Sequence, residues 1–377
     1  MPGVKVVIAE SDLITSYGLG IAPLWKGLLE KKICFKTLKR FSLKSSPGFK
    51  AAYIDGLTYL KNKSLAFQML EGVFAKNKSR IPSDAFLILA TTVGEIDILE
   101  KYLLSGKGSA KESVMTNLLK KVERLAKLKV PGMVLSCACA SSSAAMAQAA
   151  ALIRSGKKDA VLVVAVDSIN EFVSSGFSSL MALDKSRAKP FDKNRSGLSL
   201  GEAAGFILLM SEKRARKEGR RIEGEVLGWG LSCDANHMTG PLRDGSGLIK
   251  AILKALKSGR ITSSDIGCIA AHGTGTLYND AMEIKAFKEV YKKSIPVYSI
   301  KGAIGHTLGA AGLVEAILAL KVLKEKVIPA TVGLENIDPE AKGWVSLSER
   351  KLKNNSLMLN NCGFGGINAA LILKHND

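Results

Sequence analysis

The feature that most constrains this chain is a pattern that runs twice: a short apolar run, a turn of small residues, then a helix-length stretch. In the first pass, residues 133–136 lead through Cys137-Ala-Cys139-Ala140 into an Ala- and Ser-rich stretch over 140–155. The run Ala160-Val-Leu-Val-Val-Ala-Val166 follows. Short apolar runs rich in β-branched residues, alternating with longer helical patterns, read as buried strands of a layered α/β protein. Strands are expected over 4–9, 85–90, 133–136, 160–166 and 205–210, then over 224–232, 266–271, 297–300, 356–360 and 369–373. Helices are expected over 140–155, 212–219, 247–258, 281–291 and 310–325. Gly156 and Gly259 fall where left-handed residues close helix C-termini. The pattern restarts after the basic stretch 211–222, so two similar halves are expected, 1–215 and 216–377.

A chain of 377 residues that is 47% hydrophobic, with only 10 prolines, can bury a large core and is not disordered. Lys+Arg 54 against Asp+Glu 34 gives a net charge of +20, which favours acidic partners. No aromatic interleaving or zinc-ligand spacing accompanies the basic residues, so nucleic acid is not an expected partner. The apolar run 160–166 is too short to span a bilayer, and Met1–Ile8 reads as a first strand, not a signal peptide. Six cysteines (34, 137, 139, 233, 268 and 362) show neither a disulfide framework nor a zinc quartet. A reducing cytoplasm and no metal are the expectations.

Two of the four histidines, and one cysteine, sit in turns of small residues. Cys139 opens the helical stretch that follows an apolar strand. A thiol there feels the positive end of the helix, and free backbone N–H groups can hold a thiolate or an oxyanion. Cys137 is the competitor, on the strand side. His272 lies in His272-Gly-Thr274-Gly-Thr276, where glycines allow close ligand approach and the threonines offer hydroxyls to the amides of an extended substrate. His306 lies in Gly305-His-Thr-Leu-Gly-Ala-Ala-Gly312, between Lys301 and Glu315, which either pair in the interior or sit apart at the surface. Asn360–Asn368 is glycine-rich, but it lacks the lysine of a phosphate cradle. A loop presenting Phe364 and one backbone N–H suits acyl chemistry better.

Together these segments resemble the β-ketoacyl-acyl carrier protein synthases, condensing enzymes of the thiolase superfamily, and most closely the elongating types I and II. Lys189-Pro-Phe-Asp-Lys-Asn-Arg-Ser-Gly197, Gly201-Glu-Ala-Ala-Gly205, Asp234-Ala-Asn-His-Met-Thr-Gly-Pro241 and Gly363-Phe-Gly-Gly366 add to the likeness. The resemblance implies a thiolase-like fold, two similar α/β/α halves packed into a five-layered αβαβα core. It implies Cys139 as acyl acceptor, His272 and His306 as decarboxylating pair, Lys301 and Glu315 as their support, and Phe364 as gate and oxyanion donor. Thr274, Thr276, His237, Thr239, Leu198, Val93, Gly363 and Gly365 would bind substrate. No bound cofactor is implied, because phosphopantetheine arrives on an acidic acyl carrier protein; a homodimer is implied. Departures from the family pattern are Ile8-Ala-Glu-Ser-Asp12 in place of a glycine turn, a lysine-rich 92–130 region, Asp167 where Glu is usual, and Leu198 and Cys362 where Phe is frequent.

Overall fold

The computed structural model describes residues 4–43, 48–60 and 63–375. Met1–Gly3, part of the expected first strand, lie outside them. Ten strands carry the architecture: β1 (Val6–Thr15), β2 (Phe86–Ala90), β3 (Met133–Leu135), β4 (Ala160–Asp167) and β5 (Ala203–Ser211) before residue 212. After residue 223 come β6 (Gly224–Cys233), β7 (Cys268–Ala270), β8 (Val297–Tyr298), β9 (Ser356–Gly363) and β10 (Ile367–Lys374). The first five lie side by side as β3-β2-β4-β5-β1 and the second five as β8-β7-β9-β10-β6. In each set the first three strands run parallel, the fourth is antiparallel to them, and the fifth is antiparallel to the fourth. The same topology is thus built twice, and the sets meet edge to edge through only Val7–Glu225 and Ile8–Gly224.

Side-chain alternation on the strands sets the layers. Leu87 and Leu89, with Leu162, Val164 and Phe206, pack on helices α1 (Leu65–Phe74) and α2 (Met115–Leu125). Their neighbours Ile88, Val161, Val163 and Ile207 face the opposite way, onto α3 (Ser141–Arg154). The second sheet repeats this: Met358, Ala370 and Ile372 meet α4 (Ser246–Gly259) and α5 (Leu277–Val290). Leu357, Leu359, Leu371 and Leu373 join α3 and α6 (Ala311–Glu325) in one shared core. α6 is apolar almost all round, which suits a helix enclosed between two sheets. The order helices, sheet, helices, sheet, helices is the expected five-layered thiolase-like α/β fold. Among the described residues no helix is long and apolar enough to cross a membrane.

Three expectations need correcting. β1 does not stop at residue 9; it passes a bulge between Ile8 and Glu10 and continues to Thr15, with Leu13 and Thr15 buried. Gly259 does not close α4, since Arg260 takes the left-handed conformation. The close approach of α4 to β6 rests instead on Gly228, where a Cβ would stand 2.3 Å from the Ala255 carbonyl oxygen and 2.7 Å from the Gly259 nitrogen. The lysine-rich 92–130 region holds helix Ile96–Ser105 and α2, neither of which was expected.

Candidate active site

Cys139 sits in the five-residue turn between β3 and α3. Ala138 takes a left-handed φ of 47°, an unfavourable conformation for a residue with a Cβ. The turn is held by the helix it opens into. Ser141 Oγ accepts from Cys137 N–H at 2.8 Å and donates to the Ala138 carbonyl at 2.6 Å. From the other half, the β9–β10 hairpin lays its tip over the thiol. A Cβ on Gly363 would fall 3.2 Å from the Cys139 nitrogen, and the Phe364 backbone N–H points at the Cys139 sulfur. The Asn360–Asn368 segment is therefore a hairpin rather than a free loop.

His272 follows β7 and His306 precedes the turn into α6; both are 2% exposed. One nitrogen of each ring and Cys139 Sγ lie within 4.8 Å of one another, and the rings meet edge to face with centroids 5.1 Å apart. This is the one group among the described residues with metal-ligand spacing.

The partners set the protonation. Leu308 N–H donates to His306 Nδ1 at 3.2 Å, which leaves Nε2 as the protonated nitrogen. For His272 the assignment comes through Asn361. Its Oδ1 accepts from Ser143 Oγ, so its amide nitrogen donates to Glu315 at 2.7 Å and faces His272 Nδ1 at 3.4 Å. Lys301 completes the chain with a buried ion pair to Glu315. Burial holds both imidazoles well below the usual histidine range, and the Lys301 charge adds to the effect. Both are neutral. Burial pushes the Cys139 thiol up to about 11, opposed by Lys301 and the Phe364 N–H. Burial thus outweighs the helix start and the Lys301 charge, and the resting group is a thiol.

The His272 turn is gripped from below by two acids of α5. Glu283 accepts from His272 N–H at 2.7 Å and Gly273 N–H at 2.6 Å, and Asp280 accepts from Thr274 N–H at 3.0 Å. Burial, with Asp280 beside it, raises Glu283 to about 8. Across the molecule, buried Asp167 accepts from Thr91 Oγ1, Thr92 N–H and Val93 N–H, and from Gly309 N–H at 2.7 Å.

A cavity of about 830 Å³ opens on the triad. Of the expected substrate residues, Thr274, Thr276, His237, Thr239, Leu198 and Gly363 line it, as does Phe364. Thr274 and Thr276 share a 2.9 Å hydroxyl contact. Val93 and Gly365 are not among the lining. Val93 packs beside Leu198 and Leu308, and Gly365 N–H donates to the Met238 carbonyl. Lys301 and Glu315 lie behind the histidines, and Cys137 is also off the cavity. Sequence reasoning missed Asn361, Glu283, Asp280 and Asp167 as supports. It also missed Phe177, whose ring packs on Phe364 with centroids 5.7 Å apart. Spacing offered one signal, since Asp280 and Glu283 stand three residues apart on the helix face under the His272 turn.

Residues 111–215 match the family model "Beta-ketoacyl synthase, N-terminal domain" and residues 223–335 match "Beta-ketoacyl synthase, C-terminal domain", together more than half of the chain. The chain belongs to the β-ketoacyl synthase family. This synthase is 29% identical to the 3-oxoacyl-(acyl-carrier-protein) synthase 2 of Synechocystis, over 98% of both chains. It is 37% identical over 260 residues to the synthase 2 of Rhizobium meliloti, 66% of this chain and 62% of that one. Among solved structures, the ishigamide ketosynthase/chain length factor superimposes with a TM-score of 0.87 at 27% identity, covering 100% of both chains.

Proposed function

We infer that this synthase is an acyltransferase of the 3-oxoacyl-(acyl-carrier-protein) synthase type, making carbon–carbon bonds by decarboxylative condensation in fatty acid or polyketide biosynthesis. The observation that carries this reading is the meeting of Cys139 with two neutral imidazoles within 4.8 Å. An acyl thioester enters on its carrier. A bond forms between Cys139 Sγ and the acyl carbon, the carrier's C–S bond breaks, and the carrier leaves as a thiol with the Cys139 proton. The Cys139 and Phe364 N–H groups hold the oxyanion. Lys301 and the start of α3 favour the thiolate as it forms.

Malonyl carrier then binds. The Nε2–H groups of His272 and His306 donate to its thioester carbonyl, the bond to the carboxylate breaks, and CO2 leaves. Its electron pair becomes an enolate, whose carbon attacks the acyl-Cys139 carbonyl and expels the Cys139 thiolate, which takes up one proton from solvent. Neutral histidines are the donors this step needs; burial, with the Lys301 charge behind it, keeps them so. Phe364, stacked on Phe177, gates between the two stages.

The chemistry calls for no resident metal or cofactor, since pantetheine comes with the carrier. The +20 charge supports an acidic carrier as partner. A cytoplasmic homodimer and halves of 1–215 and 216–377 belong to the same reading; exposed Leu103, Leu104 and Phe172 support a second copy. A non-catalytic partner resembling a chain-length factor is not favoured, because the nucleophile and both histidines are present. The deciding experiment incubates the protein with acyl- and malonyl-carrier and follows CO2, the β-ketoacyl product and the intact mass. Acylation on Cys137 in place of Cys139 would overturn the site assignment.

A further inference from the structure

The cavity wall is graded in depth. From the end of β7, alternate residues His272, Thr274, Thr276 and Tyr278 all line it. Their exposure rises outward, from 2% at His272 and 5% at Thr274 to 55% at Tyr278. Gly273 and Gly275 turn the chain at left-handed φ of 40° and 82° and Tyr278 stands in the first turn of α5, so the shared lining and the rise in exposure mark a path from the reacting atoms to the rim. At the outer end Arg243, on the segment before α4, lays its guanidinium over the Tyr278 ring, 4.2 Å from the centroid. Of the 54 Lys and Arg residues, Arg243 is the one that lines this cavity among the described residues. Among the described residues no carboxylate pairs with it. The neighbouring acids are engaged elsewhere. Asp234 accepts from Leu242 N–H at 2.9 Å and Asn368 at 2.7 Å, and Asp244 accepts from Ser246 N–H at 2.9 Å.

We propose that Arg243, held flat by Tyr278, binds the phosphodiester at the outer end of the pantetheine arm. The inference rests on the condensing reading above. An arm whose thioester reaches Cys139 presents amides to the Thr274 and Thr276 hydroxyls, and its anionic end then falls at the rim. A guanidinium suits that end, since its planar fork matches phosphate oxygens and stacking on an aromatic ring pre-organises it. Arg243 is then a specificity-determining residue that distinguishes a phosphorylated arm from a bare one.

The test compares acyl-pantetheine 4′-phosphate with acyl-pantetheine, free of any carrier, so that acidic carrier side chains cannot supply the anion. The wild-type protein is expected to acylate Cys139 from the phosphorylated thioester with a kcat/KM about 3- to 10-fold higher. Arg243→Ala should bring that ratio to about one, and Arg243→Lys should restore part of it. An unchanged ratio in Arg243→Ala overturns the inference alone. A wild-type protein that turns over neither thioester overturns the condensing reading and this inference with it. Should the alanine variant fail to fold, Arg243→Gln, which keeps the side-chain length, carries the same comparison.

Discussion

The turn after β3 and the segment after β8 occupy matching places in two matching sheets, yet they are built differently. The first spans five residues (136–140) and does one thing: it bends sharply at Ala138 and sets Cys139 before α3. The second spans twelve (299–310) and contains helix Lys301–Ile304, a Gly305 turn and His306. The turns after β2 and β7 differ likewise. Both are clamped by buried acids, Asp167 in one case and Asp280 with Glu283 in the other. Only the second presents catalytic and substrate side chains to the cavity; the first helps lock Gly309 of the opposite half. On the proposed function, the duplicated scaffold divides its labour, with the nucleophile on one side and the two imidazoles on the other, while the cavity between them is lined from both.

The largest test of this division removes each contribution in turn. Cys139→Ala should show no acyl-enzyme by intact mass and lose condensation by more than about 10⁴-fold. His272→Ala and His306→Ala should still acylate Cys139 but release CO2 about 10²- to 10⁴-fold more slowly. Loss of acylation in the histidine variants would mean that the halves do not separate the two stages.

Next is the buried pair. Lys301→Ala strands the Glu315 carboxylate in the interior, and urea unfolding should show a loss of about 3–5 kcal/mol. The double variant Lys301→Ala/Glu315→Ala should recover part of that. Asp167→Ala leaves several buried donors unpaired at once and should cost about 2–4 kcal/mol.

A smaller effect is pH-dependent. Glu283 is raised from 4.5 in the unfolded chain to about 8 in the fold, so the fold favours its proton. That contribution is fully present below 4.5 and is lost as pH rises toward 8. The Tm difference between wild type and Glu283→Gln should therefore move in the variant's favour from pH 4.5 to 8. A constant difference would mean that Glu283 is not perturbed. Smallest of all, Thr276→Val should raise KM for carrier-bound substrate about 2- to 5-fold with kcat kept.

What could be read in advance follows from where the information lies. β4 and β5 are buried on both faces and show as unbroken apolar runs, so their sequence declares them. The far end of β1 does not, because Glu10-Ser11-Asp12 are polar and a bulge shifts the register. Helix Ile96–Ser105 leaves Leu103 and Leu104 exposed, which blurs the one-sided pattern that marks a helix. In the site, Cys139, His272 and His306 stood out because reactive residue types sit in small-residue turns. Asn361 and Asp167 did not, since their roles are contacts with residues far away along the chain, Glu315 and Gly309 among them. Nothing local marks such a partner.

The close crossing of the two central helices has a further consequence. A Cβ on Gly312, in the first turn of α6, would stand 2.1 Å from Ser143 Oγ of α3 and 2.6 Å from Asn361 Oδ1. The thiol and its imidazoles share a site only when these helix starts touch. As the chain is synthesised, Cys139 emerges well before His272, His306 and Phe364, and domains generally fold in that order. Until the later segment docks, Cys139 lacks the Phe364 N–H and both imidazoles, and on the proposed reading it cannot complete the condensation. On that reading, the site is armed only once both halves of the sheet are in place.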